Sequence, residues 1–335
     1  MKRAIVLFNL GGPDAPSSVR PFLFNLFNDP AIIDYPAPLR WLVAQIISRA
    51  RDKTAQAIYA HLGGRSPLLD LTRAQAKALE ADLNQRDPTV INRAFIAMRY
   101  WHPRAGQTAA EVAAFQPDEI VLLPLYPQYS TTTTGSSIGE WMDTVRRWSL
   151  PAQTRTIRSY PDLADYAEAQ ADLLKQALAQ GLAESSGAPV RILFSAHGLP
   201  QKIVDAGDPY QVEIEQSAIS IARAGGFAKA DWTICYQSRV GPMKWLEPSL
   251  DQELIRAAAD KVGVVVLPIS FVSEHSETLV ELDIEYRHRA QNLGIASYVR
   301  VPALGTHPRF IAGLADLVLS SADKAIPNIA PDRQP

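Results

Sequence analysis

Ile5-Val6-Leu7-Phe8-Asn9-Leu10-Gly11-Gly12-Pro13 and Ile192-Leu193-Phe194-Ser195-Ala196-His197-Gly198-Leu199-Pro200 repeat one pattern in the two halves of the chain. Each is an apolar run without charge that breaks at glycine and proline. A second pair follows: Val121-Leu122-Leu123-Pro124-Leu125 resembles Val265-Val266-Leu267-Pro268-Ile269, and both continue into a Ser/Thr-bearing segment. Short runs rich in β-branched residues and almost free of charge read as strands buried on both faces, the signature of a parallel sheet. The runs cover residues 4–10, 120–125, 190–194 and 262–269. Between them, stretches 72–84, 163–182, 248–259 and 310–319 repeat apolar residues at helical spacing. Strands alternating with helices give an α/β fold, and the paired runs predict two sheets of related topology. Residues 151–161 are the expected crossing between halves. The expected domains are 1–155 and 156–326, the last helix packing back on the first, with a frayed tail over 327–335.

The length of 335 residues suits two domains at ~150 residues each. Apolar residues at 47% and charged residues at 20% describe an ordinary folded chain rather than a disordered one. Lys plus Arg total 33 and Asp plus Glu 35, a net charge of -2, so nothing globally basic points to nucleic acid. The single cysteine, Cys235, excludes an internal disulfide or a four-cysteine cluster. The apolar start at Ala4 breaks at Asn9, too short for a signal peptide, and no run reaches ~18 apolar residues. A cytoplasmic protein without a membrane span is expected.

Ligands of open α/β sheets sit beyond the C-terminal strand ends. Those ends carry Gly11-Gly12-Pro13, residues 126–135, His197-Gly198 and residues 273–278, so two facing sheets would bring all four to one cleft. His197 is either a loop histidine bonded to backbone or a base or metal ligand at the strand mouth. In Ser273-Glu274-His275-Ser276-Glu277-Thr278-Leu279 and the helix after it, Glu277, Glu281 and Glu285 recur every fourth residue. On an α-helix they form one stripe drifting ~40° per step. Glu274 and Asp283 add to it. Such a run is usually a solvated face, yet aligned carboxylates repel, and a cation or proton path would offset that cost. The hydroxyl-rich Tyr126–Ser137 loop is a helix cap or an anion cradle. It is not a Walker loop, and Leu10-Gly11-Gly12-Pro13 is not a dinucleotide fingerprint, which argues against a nucleotide cofactor. Phe22, Leu23, Phe24, Leu26 and Phe27 are core, or a lip sheltering a large flat ligand or touching a membrane.

These residues resemble ferrochelatase, the family that inserts ferrous iron into a porphyrin to make haem. The resemblance runs from Asn9 to about Leu319. It rests most on Leu125-Tyr126-Pro127-Gln128-Tyr129-Ser130, Ser195-Ala196-His197-Gly198-Leu199-Pro200, Cys235-Tyr236-Gln237-Ser238-Arg239-Val240-Gly241-Pro242 with Trp245-Leu246, and residues 273–279 with Glu281-Leu282-Asp283. It implies two Rossmann-like domains, each a parallel sheet flanked by helices, with a porphyrin cleft between them. It implies His197 and Glu277 at the iron, and Glu281, Asp283 and Glu285 as catalytic residues on a partly π-type helix leading to solvent. Arg51, Tyr59 and Ser66 are implied near the propionates. Arg99, Tyr100, Tyr126 and Trp245 are implied as pocket walls, Ser130 and His275 as further substrate contacts, and residues 22–27 as the lip.

Two departures stand out. Arg65 follows Gly63-Gly64 where some relatives have a third glycine, and would meet a propionate or point to solvent. The [2Fe-2S] cluster of some relatives needs cysteines this chain lacks, with Thr131 at the loop position. The expected partners are protoporphyrin IX and Fe²⁺ as substrates, with no permanently bound cofactor. Contact with the inner face of the cell membrane is expected at most as peripheral, and monomer and homodimer stay open. In the expected mechanism His197 approaches one face of the ring and Glu277 sits on the opposing wall. A chelatase for coproporphyrin III or another tetrapyrrole, and a non-catalytic porphyrin-binding protein, are the alternatives.

Overall fold

The computed structural model describes residues 1–148, 152–239, 241 and 243–320, with Arg147 and Trp148 described by backbone only. The first half carries β1 (Lys2–Asn9), α1 (Val19–Phe27), α2 (Ala37–Ala60), α3 (Leu68–Arg86), β2 (Ile91–Met98), α4 (Ala105–Phe115), β3 (Glu119–Pro124), α5 (Ser136–Trp148) and β4 (Gln153–Thr156). The second carries α6 (Ala164–Glu184), β5 (Val190–His197), α7 (Gln201–Asp205), α8 (Tyr210–Gly225), β6 (Trp232–Gln237), α9 (Leu250–Ala259), β7 (Gly263–Pro268), α10 (Arg287–Asn292), β8 (Tyr298–Arg300) and α11 (Pro308–Leu319). Two π-helical segments complete it, Thr131–Gly135 after β3 and Glu277–Tyr286 after β7.

Both sheets are four-stranded and parallel, ordered β2-β1-β3-β4 and β6-β5-β7-β8. The internal repeat is therefore real at the level of topology. It extends to the widened helical turn that follows the Leu-Pro strand of each half.

The four strands read from sequence are the two central strands of each sheet. Along β1, Ile5 and Leu7 face one side while Ala4, Val6 and Phe8 face the other, all at most 1% exposed. Burial on both faces leaves no polar position, hence the unbroken apolar runs. The four edge strands escape that reading because they are short or interrupted by polar residues: β2 includes Asn92 and Arg93, β4 is Gln-Thr-Arg-Thr, β6 includes Thr233 and Gln237, and β8 has three residues.

Two boundaries differ from expectation. Strand β5 runs on to His197, because Ser195, Ala196 and His197 still pair with Cys235, Tyr236 and Gln237 of β6. His197 is thus the last strand residue rather than a loop residue. The expected crossing at 151–161 contains β4, so the connecting segment is 157–163. Residues 327–335, expected as a frayed tail, lie outside the described residues.

One apolar cluster spans both halves. It joins Ile5, Leu7, Val121 and Leu123 of the first sheet to Ile192, Phe194, Val265 and Leu267 of the second through α3, α6, α8 and α11. Helix α11 packs on both α3 and α6, and Arg86 of α3 pairs with Asp316 at 2.5 Å. The C-terminal strand ends of both sheets open onto one cavity of about 1070 Å³.

Candidate active site

The cavity exceeds the usual range for small-ligand pockets, ~300–1,000 Å³. Its first-half wall is mostly apolar: Phe22, Leu23, Leu26 and Phe27 of α1 face Ile33 and Ile58. Phe24 turns away and packs edge-on against Trp41. Arg51, Tyr59 and Ser66 all line the cavity. Gly12 permits Ser66 to come this close, since a Cβ there would stand 2.5 Å from the serine Cβ and Oγ. Arg65 does not line it; its guanidinium lies 3.2 Å from Asp70, largely in solvent.

The opposite wall belongs to the second sheet. His197 donates from Nδ1 to the Gly198 carbonyl at 2.6 Å, the only role a carbonyl partner allows. In the neutral ring, Nε2 is then the bare nitrogen, and it lies 3.7 Å from Oε1 of Glu277. The His197 backbone is held from both sides: its N–H donates to Ser270 and its carbonyl accepts from Tyr210. Gly198 is required beside it, because a Cβ would lie 2.8 Å from the Gln237 carbonyl oxygen. His275 approaches Glu277 from its other oxygen, Nε2 to Oε2 3.9 Å, with its ring edge-on to Phe271. Burial pushes the His275 imidazole below its ordinary value, against the pull of Glu277 and Glu274.

His197 and Glu277 therefore stand side by side, and the expectation that they flank the ring from opposing walls is corrected. The topology explains it: β5 and β7 are neighbours, so the end of β5 and the segment after β7 emerge together. No macrocycle fits in a 3.7 Å gap.

The π-helix carries the acidic line. Its i→i+5 bonding widens the turn, and Glu277, Glu281 and Glu285 all line the cavity, with Glu285 reaching exposed surface. Glu281 is the most constrained. It accepts from Gln237 Nε2 at 3.2 Å, from the Ser238 backbone N–H at 2.9 Å and from the Ser238 hydroxyl at 2.6 Å. Burial, then the charge of Glu277, pushes its carboxyl up to about 7 despite those donors. Asp283 does not belong to this line. It does not border the cavity and pairs instead with Arg300 at 2.7 Å and Arg287 at 3.3 Å.

Arg99 also departs from the expected role as a wall. Its guanidinium binds Asp29 at 2.9 Å and Glu140 at 3.4 Å, behind Tyr100. Tyr100 does line the cavity, and its hydroxyl donates to Asp29 at 2.7 Å. Tyr126, Trp245, Ser130 and His275 line it as well. Tyr126 Oη and Trp245 Nε1 are buried without a hydrogen-bond partner among the described residues. Ser130 caps the π-turn Thr131–Gly135 and donates to Asp208 of the second half, which also holds the Thr131 N–H and hydroxyl. Gln237, Ser238 and Asp208 are the site residues that sequence reasoning missed. Gln237 ends the edge strand β6 and Ser238 follows it, and nothing in their spacing announces a carboxylate partner.

Comparison with known proteins bears on the family and the fold. The ferrochelatase family profile matches residues 2–322. Proteins named ferrochelatase are 57% identical in Phenylobacterium zucineum (97% of this chain, 93% of the relative) and 54% identical in Caulobacter vibrioides (97% and 91%). One from a Wolbachia of Drosophila simulans is 52% identical (96% and 99%). Among solved structures, SirB from Bacillus subtilis with Fe³⁺ superposes with a TM-score of 0.51 at 12% identity, over 95% of this chain and 94% of that one. The sirohydrochlorin chelatase SirB with cobalt superposes with a TM-score of 0.52 at 10% identity, over 93% and 92%. At such identity these two structures speak for the fold alone. The family match and the relatives go further: the chain belongs to the ferrochelatase family.

Proposed function

We propose that the cavity holds protoporphyrin IX while Fe²⁺ is inserted, releasing two protons and giving protohaem. The activity class, metal chelation by a porphyrin, follows from the family. The observation carrying the assignment of roles is the His197–Glu277 pair, 3.7 Å apart, in the wall of a large and mostly apolar cavity.

Neutral imidazole and carboxylate suit Fe²⁺. Neutral His197 with anionic Glu277 carries one negative charge. Loaded with Fe²⁺, or with two protons instead, the pair carries one positive charge in either state. Exchanging the metal for the two pyrrole protons therefore leaves the charge of the pair unchanged, which keeps the exchange cheap in a desolvated place. Protons then pass to Glu281, whose carboxyl titrates near neutrality, and on to Glu285 at the surface. Arg51, Tyr59 and Ser66 meet the propionates, and the apolar walls hold the macrocycle bent, the strain offset by those distant contacts.

Anaerobic turnover with Fe²⁺, offering protoporphyrin IX and coproporphyrin III in parallel, tests this. Preferential protohaem formation is expected. Preference for coproporphyrin overturns the substrate, and tight porphyrin binding without insertion of any metal overturns the roles of His197 and Glu277.

No described helix is long and apolar enough to cross a membrane. Beside the cavity mouth, however, Leu39, Trp41, Leu42 and Ile46 of α2 are each 47% exposed or more, next to Arg49 and Lys53. We read this surface as a peripheral contact with an anionic bilayer. Flotation with phosphatidylglycerol vesicles should recover the protein and lose it in Trp41→Ser/Leu42→Ser; equal recovery of both would end this reading.

A further inference from the structure

Asp283 is displaced from the acidic line, and what displaces it has a consequence. Arg300, the last residue of β8, is 9% exposed and clasps two carboxylates. Its Nη1 lies 2.8 Å from Oε1 and 3.1 Å from Oε2 of Glu274, and its Nη2 lies 2.7 Å from Oδ2 of Asp283. Glu274 immediately precedes His275, and Asp283 lies on the π-helix away from the cavity. The clasp thus closes around 275–282, the segment that contains His275, Glu277 and Glu281. Strand β8 braces the π-helix once more, and α10, which continues it, once. The Tyr298 hydroxyl donates to the Leu282 carbonyl at 2.9 Å, and Arg287 donates to the Tyr298 carbonyl at 2.7 Å. π-Helical turns are rare and persist where surroundings enforce them, since the same residues otherwise wind into the tighter α form.

We infer that Arg300 is a positioning residue for metal insertion: by clasping Glu274 and Asp283 it holds segment 275–282 in its widened turn and so aims Glu277 and Glu281 into the cavity. Arg300 touches no cavity space itself, and the first-half wall that would hold the porphyrin is untouched by the clasp. Its effect therefore falls on the insertion step rather than on porphyrin binding. This inference rests on the chelatase reading above.

The test uses full-length protein and zinc insertion into protoporphyrin IX, followed by fluorescence. Arg300→Met alone leaves Glu274 without a cationic partner and Asp283 with Arg287 only, and risks misfolding, so the decisive variant is Arg300→Met/Glu274→Gln/Asp283→Asn, which removes the charges together. A kcat loss of roughly 10- to 100-fold is expected, with porphyrin KM unchanged within about twofold. Arg300→Lys, which reaches one carboxylate at a time, should lie between. Amide exchange across 278–286 in substrate-free protein should quicken selectively, while β7 and α9 keep wild-type protection. Retained kcat, a parallel loss in KM, or exchange unchanged across 278–286 overturns the inference. So does a further tenfold drop from Arg300→Met/Glu274→Gln to the triple variant, since Asp283 would then carry protons itself. If wild-type protein inserts no metal, the chelatase reading falls. The exchange measurement still judges the clasp, because it needs neither metal nor porphyrin.

Discussion

His197 shows how one backbone contact sets chemistry. Donating Nδ1–H to the Gly198 carbonyl leaves Nε2 of the neutral ring as the acceptor, the nitrogen proposed to meet a metal or a pyrrole proton. His197→Ala removes that nitrogen while leaving the apolar walls in place. Turnover should fall by about 10²-fold or more with porphyrin affinity nearly unchanged, measured by single-turnover insertion against fluorescence titration. Glu281 yields a prediction about pH. Its folded carboxyl sits near 7, above its ordinary value, so the folded state binds the extra proton. The stability it contributes is complete below the ordinary carboxylate value and is lost as pH rises through about 7. The loss is on the order of 3 kcal/mol. Urea melts of substrate-free protein at pH 5 and pH 8 should show it, and Glu281→Gln should flatten it; an unchanged slope in that variant would sink the assignment. At this scale, periodicity placed Glu277, Glu281 and Glu285 together correctly. It did not set Asp283 apart, whose shortest ion pair is with Arg300 of β8, and the resemblance did not reveal that Arg99 is taken up by Asp29, just past α1, and by Glu140 of α5; no local spacing encodes these remote partners.

The elements show a sharper division between what local sequence specifies and what it does not. Central strands are buried on both faces and advertise themselves; edge strands carry polar residues whose purpose appears only in three dimensions. Strand β2 is the clearest case. Its outward backbone groups are covered by side chains: Asn84 accepts from the Asn92 N–H at 2.9 Å and donates to its carbonyl at 3.1 Å. Glu80 accepts from the Ala94 N–H at 3.0 Å, and the Thr108 hydroxyl donates to the Ile96 carbonyl at 2.6 Å. An edge so covered offers no ladder to a second copy. Asn84→Ala uncovers both groups of Asn92. It should cost about 1–3 kcal/mol in urea unfolding and raise the tendency to self-associate in sedimentation. A variant as stable and as dispersed as the parent would show that the edge is protected otherwise.

At the scale of the whole molecule, the paired motifs announced two sheets but not how firmly they are joined. The join is written in isolated buried residues. Gln75 of α3 is 1% exposed and reaches across the halves, donating to the Val272 and Gly305 carbonyls and accepting from the Ser273 hydroxyl. Gln128, 2% exposed and in the loop after β3, donates to Ser217 of α8. A lone glutamine within a helix or loop reads as surface, so neither contact was legible. Together with the apolar cluster that runs through α3, α6, α8 and α11, these bonds tie the two cavity walls into one body. Two consequences follow for unfolding. Calorimetry should show a single cooperative transition despite the two-sheet architecture, and two resolved peaks would contradict the shared core. Gln75→Leu, which strands the buried Ser273 hydroxyl and the part-buried Gly305 carbonyl at about 1–3 kcal/mol each, should lower that one transition for the whole chain rather than split it. Porphyrin binding in the proposed cavity, where it would contact both walls at once, should raise it again, by about 2.7 kcal/mol when free porphyrin is 100-fold above its Kd. A ligand that stabilised only one half would broaden the transition, and that outcome would place the porphyrin outside the shared cavity.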